Sequence, residues 1–353
     1  MTILGIESSC DETAAAVIVD GRTMLSNTIA SSVDLHTLYG GVVPEIAARS
    51  HIELIIPVIE ETMSTAKTQW KDIDAIAITR GPGLGGSLLI GVMTARTLSI
   101  TKNKPLYGIN HVMAHPFATF ITTTKLENYT LPEQQPDYPL LSLIVSGGHT
   151  QLVLFRSAID YDLLGQTTDD AVGEAFDKVA KIIGLPYPGG PNVSKAALAG
   201  DPNAIKLPIA KTNGEYDFSF SGLKTAVLRA TQQLCGKDFT FPSYQLSELL
   251  SDAQKADIAA SFEHTAIETL IRRTKKAYDN YQPKSIVVAG GVAANWLLRE
   301  QLKDALPLPV LFPDIKLCTD NAAMIAALAY QTITAGAKPD DPYKLSIDTS
   351  LSM

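Results

Sequence analysis

The chain has 353 residues, 46% hydrophobic and 19% charged, enough for a substantial buried core and long enough for two domains. Its formal net charge of -8 argues against a protein that coats nucleic acid nonspecifically, because neutralising phosphates takes a basic surface. Cys10, Cys235 and Cys318 show no CxxC spacing and an odd count, no apolar run is long enough to span a membrane, and no basic-apolar leader precedes the first strand pattern, so no disulfide framework is expected and the expected location is the cytoplasm.

Short strands ILGIE, AAAVIVD and TMLSNTIAS come first, and PEIAARSHIELIIPVIEETMSTA carries the period of a helix. DAIAITRG reads as a buried strand, GGSLLIGVMTARTLSI as an apolar helix opening on glycines, and PLYGIN as another strand, with His111 and His115 just after it. Residues 122–139 (TTTKLENYTLPEQQPDYP) are polar, proline-bearing and without period, the pattern of a connecting surface loop. The strand pattern then restarts with LLSLIVSGGHTQLVLFRS, a strand, a glycine turn and a second strand. Residues 173–281 are mainly helical: GEAFDKVAKIIG, a proline-glycine loop PYPGGPN, SGLKTAVLRATQQL, and the long pattern SDAQKADIAASFEHTAIETLIRRTKKAYDNY. SIVVAGG is a strand, AANWLLREQLKDAL a helix, PVLFP a strand, and DNAAMIAALAYQTITAG a helix ending at Gly336. The recurring unit predicts an internally duplicated α/β protein with a ligand crevice between two lobes. The N-terminal lobe is expected over 1–121, completed by the helix at about 320–336, and the C-terminal lobe over 140–319 with a helical insertion.

The turns Ser8–Thr13 and Ser146–Thr150 each set small residues between strands, where backbone N–H groups can converge on phosphate oxygens without a cationic side chain. Gly147 and Gly148 suit this best. Either turn alone reads sooner as an ordinary hairpin; the pair, with GGVAAN as a third element, favours a phosphate and nucleoside site. Gly290 and Gly291 end a buried strand before a helix whose first N–H groups are free, and Asn295 brings a donor and an acceptor. Glu174 and Asp177 share one helix face and are placed to accept ribose hydroxyls, although beside Lys178 and Lys181 a solvated face is the simpler account. PYPGGPN adds Gly189 and Gly190 beside that helix.

Side chains four apart on a helix lie one above the other, so His111 and His115 can reach one ion, and neutral imidazole suits iron, zinc, copper and nickel. A structural pair is the competing account. Asp320 in CTDNAAMIA offers a third ligand, though an aspartate before an apolar helix is commonly its N-cap. Pro116 disturbs a regular helix unless it falls in the first turn. A zinc peptidase needs glutamate after the first histidine, where Val112 stands, and neither a GxSxG elbow nor a GxxxxGK[ST] loop occurs. Basic residues gather at Arg272, Arg273, Lys275 and Lys276, and at Lys206, Lys211, Lys224 and Arg229; each group alone reads as a solvated face.

Taken together, GIESSCDETAAAVI, YGGVVPEIAARSH, GPGLGGSLLIG, the HxxxH segment, VSGGHTQLV, DDAVGEAFDKVAKIIGLPYPGGP, FSFSGLKTAV, VVAGGVAAN and CTDNAAMIA resemble the tRNA threonylcarbamoyladenosine transferase family, bacterial TsaD type, over essentially the whole chain. The resemblance implies the α/β, two-lobed fold of actin, Hsp70 and sugar kinases around a nucleotide cleft. It implies transfer of threonylcarbamoyl from threonylcarbamoyl-AMP to N6 of the adenosine at position 37 in tRNAs that read codons beginning with adenine. It further implies that His111, His115 and Asp320 hold one Fe2+ per subunit, with zinc or magnesium as substitutes in purified protein. Substrate contacts would come from Ile144, Val145, Ser146, Gly147, Gly148, Asp177, Gly190 and Asn295; a TsaB-like scaffold and a TsaE-like ATPase would join tRNA as partners, and with so acidic a chain the expected tRNA rim is the group Arg272, Arg273, Lys275 and Lys276 together with those partners. An exocyclic amine must lose a proton as it attacks, and Asp11 and Glu12 beside the first turn are the candidate bases. Two rival classes remain at this stage. A kinase or ATPase of the same fold would set carboxylates and magnesium, not imidazoles, near the terminal phosphate. A non-catalytic scaffold paralogue would lack the histidine pair and the SGGHT and GGVAAN turns.

Overall fold

A computed structural model describes residues 1–353. β1 (Thr2–Glu7), β2 (Glu12–Val19) and β3 (Thr23–Ser31) form an antiparallel meander. The short helix α1 (Val33–Thr37) and the long α2 (Pro44–Thr65) lead into β4 (Ala75–Gly81), α3 (Gly85–Lys102), β5 (Leu106–Asn110) and the single turn α4 (His111–Ala114). β4 and β5 extend the sheet parallel to β1, and a two-residue strand, β6 (Thr123–Thr124), closes its far edge, giving the order β5-β4-β1-β2-β3-β6. The segment 122–139, expected as loop throughout, therefore starts as an edge strand, and its Leu126, Tyr129, Leu131 and Tyr138 pack onto the core.

The second sheet repeats the first. β7 (Leu140–Val145), β8 (Thr150–Phe155) and β9 (Tyr161–Gln166) form the meander, and β10 (Ser285–Ala289) and β11 (Val310–Leu311) add parallel to β7 in the order β11-β10-β7-β8-β9. Strand for strand this matches β5-β4-β1-β2-β3, so the duplication expected from sequence is a fact of topology. Between β9 and β10 lie α5 (Val172–Ile183), α6 (Gly189–Ala197), α7 (Ser221–Leu234) and α8 (Asp252–Tyr281); α9 (Trp296–Ala305) and α10 (Ala322–Thr334) follow. Of the expected loop PYPGGPN, Pro186–Pro188 remain outside any helix, while Gly189–Asn192 form the start of α6. The correction has a cause outside the segment: Asp177 Oδ1 accepts the Gly189 N–H at 2.7 Å and caps a helix that two glycines and a proline would not start alone.

Three apolar layers result. α2 and α3 cover one face of the first sheet through Ile55, Ile59 and Val92 against Leu4 and Ile6. α5, α8 and α9 cover the outer face of the second through Phe176, Phe262 and Leu298 against Leu143 and Val145. Between the two sheets lie α10 and the segment after α4, with Phe117, Phe120, Met324 and Ile325 packed among Ile3, Val153 and Val287. α10 is apolar around nearly its whole circumference because both lobes press on it. It also lies unusually close to β1: a Cβ on Gly5 would stand 2.3 Å from the Ala322 carbonyl oxygen. No helix is long and apolar enough to cross a membrane.

Candidate metal centre

β5 ends at Asn110, whose side-chain oxygen accepts the N–H groups of Val112 (2.9 Å) and Met113 (3.1 Å) and starts α4. At His115 the chain tightens into a 3-10 helix through Phe120, with Pro116 in its first turn, where a missing N–H does no harm. The histidines therefore do not share one regular α-helix as their spacing suggested, yet their ring centroids are 4.9 Å apart with planes at 78°. Asp320 approaches from the other direction, just before α10. Its competing role as a cap falls to Asn321, whose Oδ1 accepts the Met324 N–H at 3.0 Å and leaves the aspartate free. Asp320 Oδ1 lies 3.4 Å from His111 Nε2 and 3.7 Å from His115 Nε2, and the three donor atoms fall within 4.8 Å of one another. Ligand atoms about 2.1 Å from one ion are roughly 3.0–4.2 Å apart, so small side-chain movements close the trio on a cation.

Both ring nitrogens of His115 are buried without a hydrogen-bond partner, which costs about 1–3 kcal/mol per polar group unless a ligand takes the lone pair. Burial, then the charge of His111, pushes the His115 pKa down to about 4 and keeps it a neutral donor. Burial disfavours the charged form of His111 too, but Asp320 and Glu7 outweigh it and hold that pKa well above its ordinary value. Asp320 is raised by burial and then carried well below the carboxylate range by His111 and His115. Asp320 set against two buried imidazoles, one of them without any hydrogen-bond partner, is a donor set that a divalent cation fits.

The first turn is more occupied than expected. Glu7, which the sequence analysis passed over, ends β1 fully buried; it accepts from Thr79 Oγ1 and the Ser9 N–H, both at 2.5 Å, and faces His111 Nδ1 at 3.0 Å. The Ser9 amide is thus spent. His51 braces the turn through Thr13 Oγ1 (2.7 Å) and the Cys10 carbonyl (3.0 Å). Glu12 accepts Ser31 Oγ on Oε1 at 2.8 Å, while Oε2 is buried and unpartnered. Burial, against the Ser31 bond and with added repulsion from Asp11, pushes the Glu12 pKa up to about 7.

In the second sheet, Ser146 N–H to His149 O (2.8 Å) and His149 N–H to Ser146 Oγ (3.1 Å) close the hairpin between β7 and β8. The amides of Gly147 and Gly148 have no internal acceptor, and both residues are exposed. Ile144 pairs with Ala289, so Gly290–Asn295 runs beside Val145; Gly290 has φ +97, and a Cβ there would lie 2.3 Å from the Val145 carbonyl oxygen. A 3-10 turn over Gly291–Ala294 intervenes, so the helix expected directly after the glycines starts at Trp296 with Asn295 as its cap. Asn295 Oδ1 accepts the Leu298 N–H (2.9 Å), and Nδ2 donates to Ser194 Oγ (2.9 Å) and Glu263 Oε1 (2.6 Å), two partners sequence reasoning missed. Burial raises the Asp177 carboxyl although the Gly189 amide works against it, and Gly190 faces open space. Glu174 reaches Lys178 at 2.8 Å, as the solvated-face account has it, while its charge still adds to the rise at Asp177. Burial lifts the Tyr187 phenol, with Asp11 and Asp177 adding to the rise; burial lowers His149 to about 4, with the His111 charge adding. The charges of Asp11 and His111 are thus felt at Tyr187 and His149, the neighbours of the two glycine turns.

Of the two basic groups, one is largely neutralised: Arg272 pairs with Glu268, Lys276 with Glu215 at 3.0 Å, and Arg273 donates to the Glu215 carbonyl. The other is free of ion pairs, and its Lys206 and Arg229 line an open cleft of about 640 Å³ with Ser221, Gly222 and Thr225 at the start of α7.

The sequence model of the family described as tRNA N6-adenosine threonylcarbamoyltransferase (TsaD) matches residues 23–327. A protein of that name from Symbiobacterium thermophilum is 51% identical over 341 residues, which cover 96% of this chain and 93% of the relative. Another, from Thermomicrobium roseum, is 49% identical over 347 residues, covering 96% and 94%. Among solved structures, full-length HypF in a phosphate- and nucleotide-bound form superposes with a TM-score of 0.59 over 96% of this chain and 47% of its own, at 12% identity, a likeness of fold alone.

Proposed function

Because the chain belongs to the tRNA N6-adenosine threonylcarbamoyltransferase family, whose members attach threonylcarbamoyl to N6 of adenosine in tRNA, we propose how its residues divide that work. Threonylcarbamoyl-AMP is the donor, bound between a lobe of residues 1–121 plus α10 and a lobe of residues 140–319 joined by 122–139. The acceptor is adenosine 37 of tRNAs that read codons beginning with adenine. His111, His115 and Asp320 would hold one Fe2+, since two imidazoles and one carboxylate make the donor set of non-haem ferrous sites and leave positions open. Held there, such an ion would supply Lewis acidity to the transfer.

The remaining tasks belong to the chain. In the strand end Ile144–Gly148, the unspent amides of Gly147 and Gly148 take phosphate oxygens as Ile144, Val145 and Ser146 hold the turn in place. Asn295 has both amide hydrogens committed and one carbonyl lone pair left, so it accepts from the nucleoside. Asp177 and the open backbone at Gly190 form the wall beside it. Glu12 is the base: with a pKa near 7 it takes a proton more readily than an ordinary carboxylate, and its bare Oε2 is the atom that receives it, while Asp11 alongside keeps it basic. Lys206, Lys211, Lys224 and Arg229 give tRNA a basic rim, and a TsaB-like scaffold and a TsaE-like ATPase complete the machinery in the cytoplasm.

The unpartnered, neutral His115 facing Asp320 carries this reading over a kinase, which gathers carboxylates around magnesium. Protein purified with its partners, tRNA and threonylcarbamoyl-AMP should lose both bound metal and modified tRNA when His111→Ala and His115→Ala are combined. Undiminished product from that variant rejects a required metal.

A further inference from the structure

Glu7 sits at the carboxyl end of β1, next to the sheet's parallel strand β4, with its side chain wholly removed from solvent. An ionised carboxylate in such a place is expensive unless its lone pairs are used. Every contact of this one is accounted for: Oε1 takes the Ser9 N–H, and Oε2 takes the Thr79 hydroxyl and faces His111 Nδ1 at 3.0 Å. Ser9 Oγ lies 3.2 Å from the same nitrogen, so two oxygens flank Nδ1. On the opposite side of the ring, Nε2 looks toward Asp320 Oδ1 at 3.4 Å. An imidazole carries one mobile proton when neutral, and a carboxylate at hydrogen-bond distance fixes it on the nitrogen it faces.

We propose that Glu7 is the positioning residue of the metal centre: it accepts the Nδ1–H of His111, turns the ring, and leaves the Nε2 lone pair bare for the cation. This inference rests on the reading of His111, His115 and Asp320 as ligands. The three ligands are not equivalent. His111 is oriented from behind by a buried carboxylate, whereas His115 is buried with no partner on Nδ1. Glu7 also ties the ion to the first turn, because the carboxylate that steadies the ligand also holds the Ser9 amide.

The decisive variant is Glu7→Gln. Its carbonyl can still accept from Thr79 or Ser9, but its amide presents a donor to Nδ1, which favours the tautomer with hydrogen on Nε2 and blocks the ligating lone pair. Metal-free protein titrated with Zn2+, and anaerobically with Fe2+, against a competing chelator should bind about 10- to 100-fold more weakly in Glu7→Gln than in the wild type. Thr79→Val, which removes a different donor from the same carboxylate, is the control for a merely structural role and should stay within about threefold of wild type. Glu7→Gln affinity equal to wild type overturns the proposal, as does an equal loss in Thr79→Val. Should Glu7→Gln not fold, nitrogen-15 NMR of zinc-loaded wild-type protein decides: His111 must show a protonated Nδ1 and a metallated Nε2, and the reverse assignment overturns the proposal. Wild-type protein that binds neither ion sinks the ligand reading itself, a result distinct from an unaffected Glu7→Gln.

Discussion

At Glu12 one oxygen is satisfied by Ser31 and the other is buried and bare, and this asymmetry gives function and stability opposite pH trends. Below about 7 the group is protonated and cannot take a proton, so single-turnover transfer should rise through that pH, and Glu12→Gln should lower the rate about 10²- to 10⁴-fold and flatten the profile. A profile that keeps its rise in the variant assigns the base elsewhere. Stability runs the other way. The folded pKa lies above the ordinary 4.5, so between those values the native state holds the proton that the unfolded state has lost, and stability falls as pH climbs through the window. Chemical denaturation at pH 8 should find Glu12→Gln at least as stable as wild type. At this scale the histidine pair was legible because its spacing is written in four consecutive steps of chain. Asp320 was legible only as a candidate, and the neighbouring Asn321 settled its freedom by taking the cap. Glu7 and the Ser194–Glu263 clamp on Asn295 were not legible, since their partners stand 104, 69 and 32 residues away.

The segments that carry the site are placed by close backbone approaches, and two glycines make opposite predictions. Gly5 lets α10 lie on β1, and Gly5→Ala drives a methyl into the Ala322 carbonyl, pushing away the helix start that carries Asp320. The overpacking should cost about 1–3 kcal/mol in thermal or chemical denaturation. Metal affinity should fall with it, and a variant that loses stability but keeps its affinity would separate the helix from the centre. At Gly147 a Cβ meets nothing within 4 Å, so Gly147→Ala should leave stability within about 0.5 kcal/mol and weaken only donor binding, as read by calorimetry. Element by element, long buried strands and periodic helices were readable. β9 was missed because YDLLGQ mixes exposed polar residues with a glycine, and α6 because its initiating cap is supplied by Asp177 from another helix.

Over the whole molecule, the duplication was legible in the recurring strand-turn-strand pattern, but the burial of α10 and the His115–Phe120 segment between the two sheets was not, since it depends on which faces the lobes turn toward each other. Electrostatics at this scale bear directly on the substrate. A chain of net charge -8 repels a polyanion over most of its surface, so tRNA must be held where positive charge is unpaired. Arg272 and Lys276 already hold Glu268 and Glu215, and replacing both with alanine should leave the slope of log affinity against log salt unchanged. Lys206 and Arg229 at the mouth of the α7 cleft have no acidic partner, and Lys206→Ala with Arg229→Ala should reduce that slope by about 0.7–0.9 per lost phosphate contact while weakening all tRNAs alike. Filter binding across a salt series measures both. Should the first pair alter the slope and the second not, the tRNA path runs over α8 instead, and the acidic partners there would have to yield their cations to phosphate on binding.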